Sequence, residues 1–197
     1  MEKQYPVVEI FHSIQGEGVH VGIPATFIRL AGCNLRCEWC DTKISWDDSN
    51  ANTTSASDIE AAIQQNTVII TGGEPCLHDL NPLLMKIKED ATLGRKVFIE
   101  TNGTYPINKK DGVDWVTCSP KPKNNYIMEC VPDELKYIVD KSFDVAFVPE
   151  IYKFKIPIWL QPNFMNLKES LKKAYKLAME NDFLRLGFQI HKFYDFK

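Results

Sequence analysis

The chain has 197 residues, of which 44% are hydrophobic and 25% are charged, as expected for a single globular domain spanning 1–197. Its net charge of −3 provides no general attraction to nucleic acids or anionic membranes, and we expect neither as a partner. The sequence has no apolar run long enough to span a bilayer and no signal-peptide pattern, so we expect a cytoplasmic protein whose six cysteines stay reduced.

Strand-like apolar runs alternate with helical patterns along the chain. The strands are predicted over residues 25–30, 68–70, 96–100, 114–117, 156–160 and 184–189, and the helices over 57–65, 81–93 and 166–180. Ser57 and Glu60 have the spacing of a capping box. Asn81, Pro82 and Gly94 are residue types typical of a helix cap, a first turn and a helix end. Residues 49–57 are small and polar, and they predict a surface loop.

This alternation predicts an α/β fold with a mainly parallel sheet of about six strands and few helices. The length and the helix count are too small for a complete eight-fold barrel, which leaves an open, partial barrel. Polar or glycine-rich segments follow four of the strands, at 71–74, 101–103, 119–121 and 161–162. Because the carboxyl ends of parallel strands meet at one edge of a sheet, we expect these segments to share the rim of a binding site.

One short segment contains a C-x3-C-x2-C run, formed by Cys33, Cys37 and Cys40. Three thiolates on one loop can hold a [4Fe–4S] cluster and leave one iron open to a small molecule, whereas such clusters normally have four cysteine ligands. The alternative is a structural zinc site, which needs a fourth ligand. The other cysteines (Cys76, Cys118 and Cys130) form no second paired spacing, and they are most simply small buried residues. We therefore favour the cluster.

The cysteine run, followed by Gly72-Gly73-Glu74-Pro75 after a predicted strand, resembles the radical S-adenosylmethionine (SAM) superfamily. In that superfamily the open iron binds SAM, and its reductive cleavage gives a radical that removes hydrogen from an unactivated carbon. A narrower resemblance, to the 7-carboxy-7-deazaguanine synthase family, extends over nearly the whole chain. It rests on the segments IQGEG (14–18), FIRL (27–30), CDTK (40–43), TGGEPC (71–76), ETNG (100–103), SPK (119–121), QP (161–162) and QIHK (189–192).

This resemblance implies a lyase that converts 6-carboxy-5,6,7,8-tetrahydropterin into 7-carboxy-7-deazaguanine with release of ammonia, on the route to 7-deazapurines such as queuosine. It also implies a modified, partial radical SAM barrel that forms a homodimer. The implied cofactors are a [4Fe–4S] cluster, SAM and Mg²⁺, and the implied protein partner is a flavodoxin-type or similar electron donor.

The resemblance further implies roles for individual residues. The substrate is contacted by Ile14, Gln15, Gly16, Arg29, Thr71 and His191, and SAM by Trp39, Cys40, Asp41, Gly73, Ser119, Pro120, Lys121 and Gln161. Thr42 ligates Mg²⁺. Gln15 can offer a donor and an acceptor to the edge of a pterin, and Arg29 can bind its carboxylate through two charge-assisted hydrogen bonds. Since Arg29 lies within an apolar strand, we expect its side chain to be directed inward and not into a surface ion pair.

Two other functions stay open. An activase of a glycyl-radical enzyme shares the cysteine spacing, but it must admit a protein loop and leaves Gln15 and Arg29 without a clear use. A zinc-stabilised binding module would have no catalytic activity. The chain also departs from the family at Ile190, where many members have threonine. A second departure is its ending, residues 194–197, whose carboxylate would reach the substrate in the family.

Overall fold

The computed structural model describes residues 2–194 of the chain. Within them, nine strands form one sheet: β1 (Gln4–Ile14), β2 (Pro24–Leu30), β3 (Asn52–Ser55), β4 (Thr67–Gly72), β5 (Lys96–Thr101), β6 (Trp115–Cys118), β7 (Glu134–Val139), β8 (Ile158–Pro162) and β9 (Leu184–Leu186). The α-helices of this part are α1 (Ala56–Ala61), α2 (Asn81–Lys88), α3 (Leu167–Glu180) and α4 (His191–Tyr194). No described helix is long and apolar enough to cross a membrane.

The sheet is open and mainly parallel. Its strand order is β3-β1-β2-β4-β5-β6-β7-β8-β9, so from β4 onward each new strand is added beside the preceding one. β1 pairs antiparallel with β2 and β3, and all neighbouring pairs from β2 to β9 are parallel. The predicted α/β fold with a mainly parallel, partial-barrel sheet is confirmed, with nine strands in the described residues instead of about six.

Three strands were missed because their residues are polar or charged. β3 has the sequence NTTS and lies at an edge of the sheet, within the segment predicted to be a loop. β1 carries Pro6, Glu9 and His12 between its apolar residues. β7 contains Glu134 and Lys136, both buried and both hydrogen-bonded. A charged side chain can occupy such a position only when a partner compensates for the loss of water.

The start of α1 corrects the predicted capping box. Ser57 is not the cap, because the Ser55 hydroxyl oxygen accepts a hydrogen bond from the Asp58 backbone N–H at 3.0 Å and α1 begins at Ala56. The Ser55 hydroxyl in turn donates to the Asp58 carboxylate at 2.6 Å. The same type of cap is therefore present two residues earlier than predicted.

The ends of two other elements also differ from prediction. Asn81 is the first residue of α2 and not its cap, and α2 ends at Lys88 instead of continuing to residue 93. A 3₁₀ turn follows, and Gly94 ends it with φ 58°, a conformation that glycine adopts without strain. The last predicted strand, 184–189, is confined to β9, and residues 191–194 form α4.

The hydrophobic core lies between the sheet and its helices. Leu83, Leu84 and Ile87 of α2 pack in one cluster with Ile70 and Ile99 of adjacent strands, while α3 packs against β7, β8 and β9. Burying a side chain of this size stabilises the fold by about 1.5–3 kcal/mol. The helices thus fix the strands, and the carboxyl ends of the parallel strands are held in a row.

Candidate active site

A cavity of about 370 Å³ opens at the carboxyl ends of the parallel strands. Its walls include the last residues of β1, β4, β5 and β8, the loop after β6, and the loop that carries the three clustered cysteines. Each of the four polar segments expected at the rim contributes at least one residue to the wall. The shared rim predicted from the strand ends is therefore present.

The cysteine loop forms one wall of this cavity. Cys33, Cys37 and Cys40 all line it, and all three thiols are free and partly exposed. Backbone hydrogen bonds fix the loop: Cys33 N–H donates to the Trp46 carbonyl at 3.1 Å, and Cys40 N–H donates to the Cys37 carbonyl at 3.0 Å. Arg36 adopts a left-handed conformation with φ 47°, which turns the chain between the first two cysteines.

The remaining cysteines do not line this cavity. Cys118 and Cys130 are buried beside Gly103, as predicted for small core residues, and Cys76 is partly buried. Within residues 2–194, no three His, Cys, Asp or Glu side chains stand close enough together to hold a single metal ion.

Gly73 lies directly behind the cysteine loop. A Cβ atom there would be 2.3 Å from the Gly32 carbonyl oxygen and 2.8 Å from Cys33 Cβ, so only glycine fits. The next residue, Glu74, is fully buried, and its carboxylate accepts hydrogen bonds from the Thr101 hydroxyl at 2.7 Å and the Asn102 backbone N–H at 2.6 Å. This pair of residues joins the end of β4 to the cysteine loop on one side and to the end of β5 on the other.

Asp41 connects the cysteine loop with the last described helix. Its Oδ2 accepts from Lys192 Nζ at 2.6 Å, and its Oδ1 accepts from the Thr42 hydroxyl at 3.2 Å. Burial alone would raise the pKa of Asp41. The hydrogen bond and the charge of Lys192 outweigh this effect and lower the pKa below its ordinary value, so the carboxylate is ionised at neutral pH. Asp41 and Thr42 both line the cavity next to Cys40.

The floor of the cavity carries a buried network of charges. Gln15 Nε2 donates to Glu100 Oε1 at 2.9 Å, while the Gln15 amide oxygen accepts from the Glu17 backbone N–H at 3.1 Å. Lys136 forms ion pairs with Glu17 and Glu100. Gln15 therefore already uses both amide groups within the protein, although it lines the cavity as expected. Glu17, Glu100 and Lys136 were not among the predicted site residues; Glu17 and Glu100 lie inside motifs that signalled the family.

Arg29 faces the cavity from β2, with a side chain only 17% exposed. Its Nε donates to Glu9 Oε1 at 2.9 Å, and its guanidinium carbon lies 5.7 Å from the ring centre of Phe11. Arg29 is thus both paired with an acidic residue and directed inward. Glu9 and Phe11 hold the guanidinium at the edge of the cavity, next to Thr71 of the adjacent strand.

The segment 189–192 closes the cavity on the side of Gly16. A Cβ at Gly16 would lie 2.3 Å from His191 Nδ1, so the imidazole packs directly on the glycine backbone. The Ile190 N–H donates to the Gly16 carbonyl at 3.1 Å, and Gln189 Nε2 donates to Glu17 Oε1 at 2.6 Å. The family's contact between the chain-end carboxylate and the substrate falls largely on residues 195–197, which lie outside the described residues.

Comparison with known proteins identifies the family. The radical SAM superfamily model matches residues 27–122. A 7-carboxy-7-deazaguanine synthase from Synechocystis sp. is 36% identical, with 96% of this chain and 92% of the relative covered. Another, from Bacteroides thetaiotaomicron, is 38% identical, with coverages of 96% and 97%. The crystal structure of QueE from Escherichia coli matches with a TM-score of 0.74 and 29% identity over 94% of both chains.

The chain belongs to the 7-carboxy-7-deazaguanine synthase family. The family name and the radical SAM match agree with the resemblance carried by the motifs, and nothing in them favours a glycyl-radical activase. The cavity also fits a radical SAM cofactor set, since three free thiols share one wall. Burial raises the pKa of the Cys37 thiol, and the charge of Lys121 offsets only part of this rise.

Most of the residues that the synthase family implies line this one cavity. They are Ile14, Gln15, Gly16, Arg29, Trp39, Cys40, Asp41, Thr42, Thr71, Gly73, Ser119, Lys121 and His191. Lys121 Nζ donates to the Ser119 hydroxyl and lies 5.4 Å from the ring centre of Trp39. Pro120 and Gln161 are buried but do not reach the cavity wall, and a Cβ at Gly187 would lie 2.7 Å from Gln161 Oε1.

Proposed function

We propose that the protein is a lyase that converts 6-carboxy-5,6,7,8-tetrahydropterin into 7-carboxy-7-deazaguanine with release of ammonia, in 7-deazapurine (queuosine-type) biosynthesis. The observation that carries this proposal is a single cavity in which a three-cysteine wall faces a floor of charged and amide side chains. The first is suited to a [4Fe–4S] cluster with one open iron, and the second to a flat molecule rich in hydrogen-bonding groups.

Cys33, Cys37 and Cys40 would hold the cluster, and the other residues of the cavity wall would hold SAM. Together, the reduced cluster and SAM supply a carbon-centred radical that removes hydrogen from an unactivated carbon. Gly73 lets the cysteine loop pack directly against the end of β4, and Trp39, Asp41, Ser119 and Lys121 line the same cavity. Their task is to orient SAM and to exclude water from the reacting carbon. Pro120 and Gln161 do not line the cavity, and their contact with SAM stays a prediction.

The opposite side of the cavity binds the pterin. Arg29 faces the substrate carboxylate, because its planar guanidinium suits a carboxylate and is already held in place by Glu9. Ile14, Gly16, Thr71 and His191 surround the ring, and Gln15 acts mainly by fixing Glu100.

Thr42 provides an oxygen ligand for Mg²⁺ beside the cluster. Its hydroxyl lines the cavity 3.2 Å from Asp41 Oδ1, and oxygen is the donor that this cation prefers. When bound there, Mg²⁺ would supply positive charge to stabilise negative charge on the substrate.

The proposal includes two protein partners and a compartment. A homodimer is supported by an exposed apolar row on α3, formed by Leu171, Tyr175 and Met179. An acidic, flavodoxin-type electron donor is supported by two exposed cations, Arg36 in the cysteine loop and Lys123 next to it. Lys123 Nζ donates a hydrogen bond to the Arg36 carbonyl at 3.1 Å. A reducing cytoplasm suits the six free cysteines.

Anaerobic reconstitution with iron and sulfide tests this function. The purified protein should bind about four irons and, with SAM, Mg²⁺ and dithionite, should form 7-carboxy-7-deazaguanine and ammonia without any other protein. Cys37→Ala should lose the cluster and the activity, whereas the control Cys130→Ala, at a buried cysteine away from the cavity wall, should keep both. Full activity of Cys37→Ala, or a requirement for a second protein as substrate, would contradict the proposal.

A further inference from the structure

The floor of the cavity contains a buried lysine to which neither the motifs nor the family resemblance gives a role. Lys136 lies in β7, its side chain is 7% exposed, and its Nζ contacts carboxylates from two other elements. Glu17 belongs to the loop after β1, and Glu100, at 2.9 Å, belongs to β5. Lysine is rarely buried in this way without a specific pairing. One cation thus joins three separate parts of the cavity floor.

Glu100 is held from both sides. Its Oε1 accepts from Gln15 Nε2 at 2.9 Å, and its Oε2 accepts from Lys136 Nζ at 2.9 Å. Each carboxylate oxygen can accept more than one hydrogen bond, so each of the two Glu100 oxygens can still accept one from a bound molecule. The side chain is 23% exposed and lines the cavity. Glu100 therefore presents a rigid pair of acceptors to whatever binds there.

The neighbouring charges keep this carboxylate ionised. Burial alone would raise the pKa of Glu100, but the charge and the hydrogen bond of Lys136 lower it, and Gln15 and Arg29 act in the same direction. Lys136 stays protonated for the complementary reason, because Glu100 and Glu17 outweigh the effect of burial and raise its pKa. An ionised acceptor binds N–H donors about twice as strongly as a neutral one.

We propose that Lys136 is a positioning residue for the pterin: it holds Glu100 ionised and oriented so that its two oxygens accept hydrogen bonds from the ring N–H and the 2-amino group of the substrate. This inference rests on the proposed function, because it assigns the recognition of that substrate's amide edge. Lys136 acts through Glu100, while Arg29 on β2 meets the carboxylate of the same molecule.

A double-mutant cycle on pterin binding tests this role. The probe is 6-carboxypterin, whose ring fluorescence reports binding to the protein without turnover. Lys136→Met and Glu100→Gln should each weaken binding about tenfold, and the double variant should bind no more than about threefold more weakly than Glu100→Gln alone, because both changes remove the same contact. Iron content and SAM binding should stay at the wild-type level. Lys172→Met, which removes an exposed ion pair with Glu169 on α3, is the control and should leave binding unchanged.

Unchanged pterin binding in Lys136→Met would overturn the role of Lys136. The same would follow if Lys136→Met weakened pterin binding equally in the wild-type protein and in the Glu100→Gln variant. If Lys136→Met does not fold, Lys136→Arg decides: it keeps the charge and should bind within about threefold of wild type, and a tenfold loss contradicts the proposal. In turnover, Lys136→Met should raise KM more than it lowers kcat. The two proposals fail separately, since wild-type protein that does not convert the tetrahydropterin refutes the function, whereas normal conversion by Lys136→Met refutes only the positioning role.

Discussion

Replacing Gly73 with alanine should push the cysteine loop away from the end of β4. The new Cβ would lie 2.3 Å from the Gly32 carbonyl oxygen, 2.6 Å from the Ser45 carbonyl oxygen and 2.8 Å from Cys33 Cβ. None of these atoms is the free end of a flexible side chain, so backbone must move. The Gly32 carbonyl also accepts from the Glu74 N–H at 2.7 Å, and the Ser45 carbonyl accepts from the Gly32 N–H at 2.9 Å. Both hydrogen bonds hold Gly32, the residue before Cys33, and both would weaken.

Overpacking a close-packed site costs about 1–3 kcal/mol, and three contacts with rigid atoms place this change at the upper limit. Weakening the two backbone hydrogen bonds adds about 1 kcal/mol, so we expect Gly73→Ala to lower the free energy of unfolding by about 3–4 kcal/mol. Urea unfolding measures this value, and iron content after reconstitution reports the state of the loop. At Gly94, where a Cβ would meet nothing within 4 Å, alanine should cost only about 1–2 kcal/mol of backbone strain and leave the iron content unchanged. Wild-type stability and full iron content in Gly73→Ala would refute this reasoning.

Three further changes test other parts of the site and fold. Arg29→Lys keeps a positive charge but loses the planar fork, so turnover of the pterin should fall at least about tenfold while SAM affinity changes little; equal losses would mean that Arg29 only supports the fold. Thr42→Val should weaken the stimulation of activity by added Mg²⁺ without loss of iron, and activity insensitive to chelators in both proteins would remove the cation from the mechanism. Burial alone would raise the pKa of Asp114, but hydrogen bonds from Lys88 and the Val97 N–H outweigh this effect and lower the pKa below its ordinary value. Its stabilisation is therefore present above the ordinary aspartate pKa of about 3.9 and is lost as the pH falls through the folded value. Asp114→Asn should accordingly show a smaller loss of stability in acid urea unfolding, and an unchanged acid limb would contradict this.

The sequence was most informative where chemistry restricts the residue types. Three cysteines at C-x3-C-x2-C spacing can be read without a structure, and Cys33, Cys37 and Cys40 do share one wall. The six predicted strands were recognisable because each contains an apolar run, and their polar exits marked the rim because parallel strands end at the same edge. Local composition and a single topological rule were sufficient for both.

Composition failed where charged residues are buried in pairs. β7 has the sequence ELKYIV, in which Glu134 and Lys136 look like surface residues until their partners on other elements are known. The same is true of Glu100, whose partners Gln15 and Lys136 are 85 and 36 residues away. Contacts over such separations arise only from the register of the sheet. The ion pairs of the floor were therefore beyond the reach of sequence patterns, whereas Gln15 and the cysteine wall were not.

Counting 7-carboxy-7-deazaguanine and 5′-deoxyadenosine in the same reaction decides whether this chain carries out the pterin rearrangement. Ring contraction with loss of ammonia is redox-neutral, so SAM should be regenerated after each turnover and the product should greatly exceed 5′-deoxyadenosine. With substrate deuterated at the carbon that bears the carboxylate, deuterium should appear in the recovered SAM by mass spectrometry. One 5′-deoxyadenosine per product, or 5′-deoxyadenosine without any deazaguanine, would contradict the assignment.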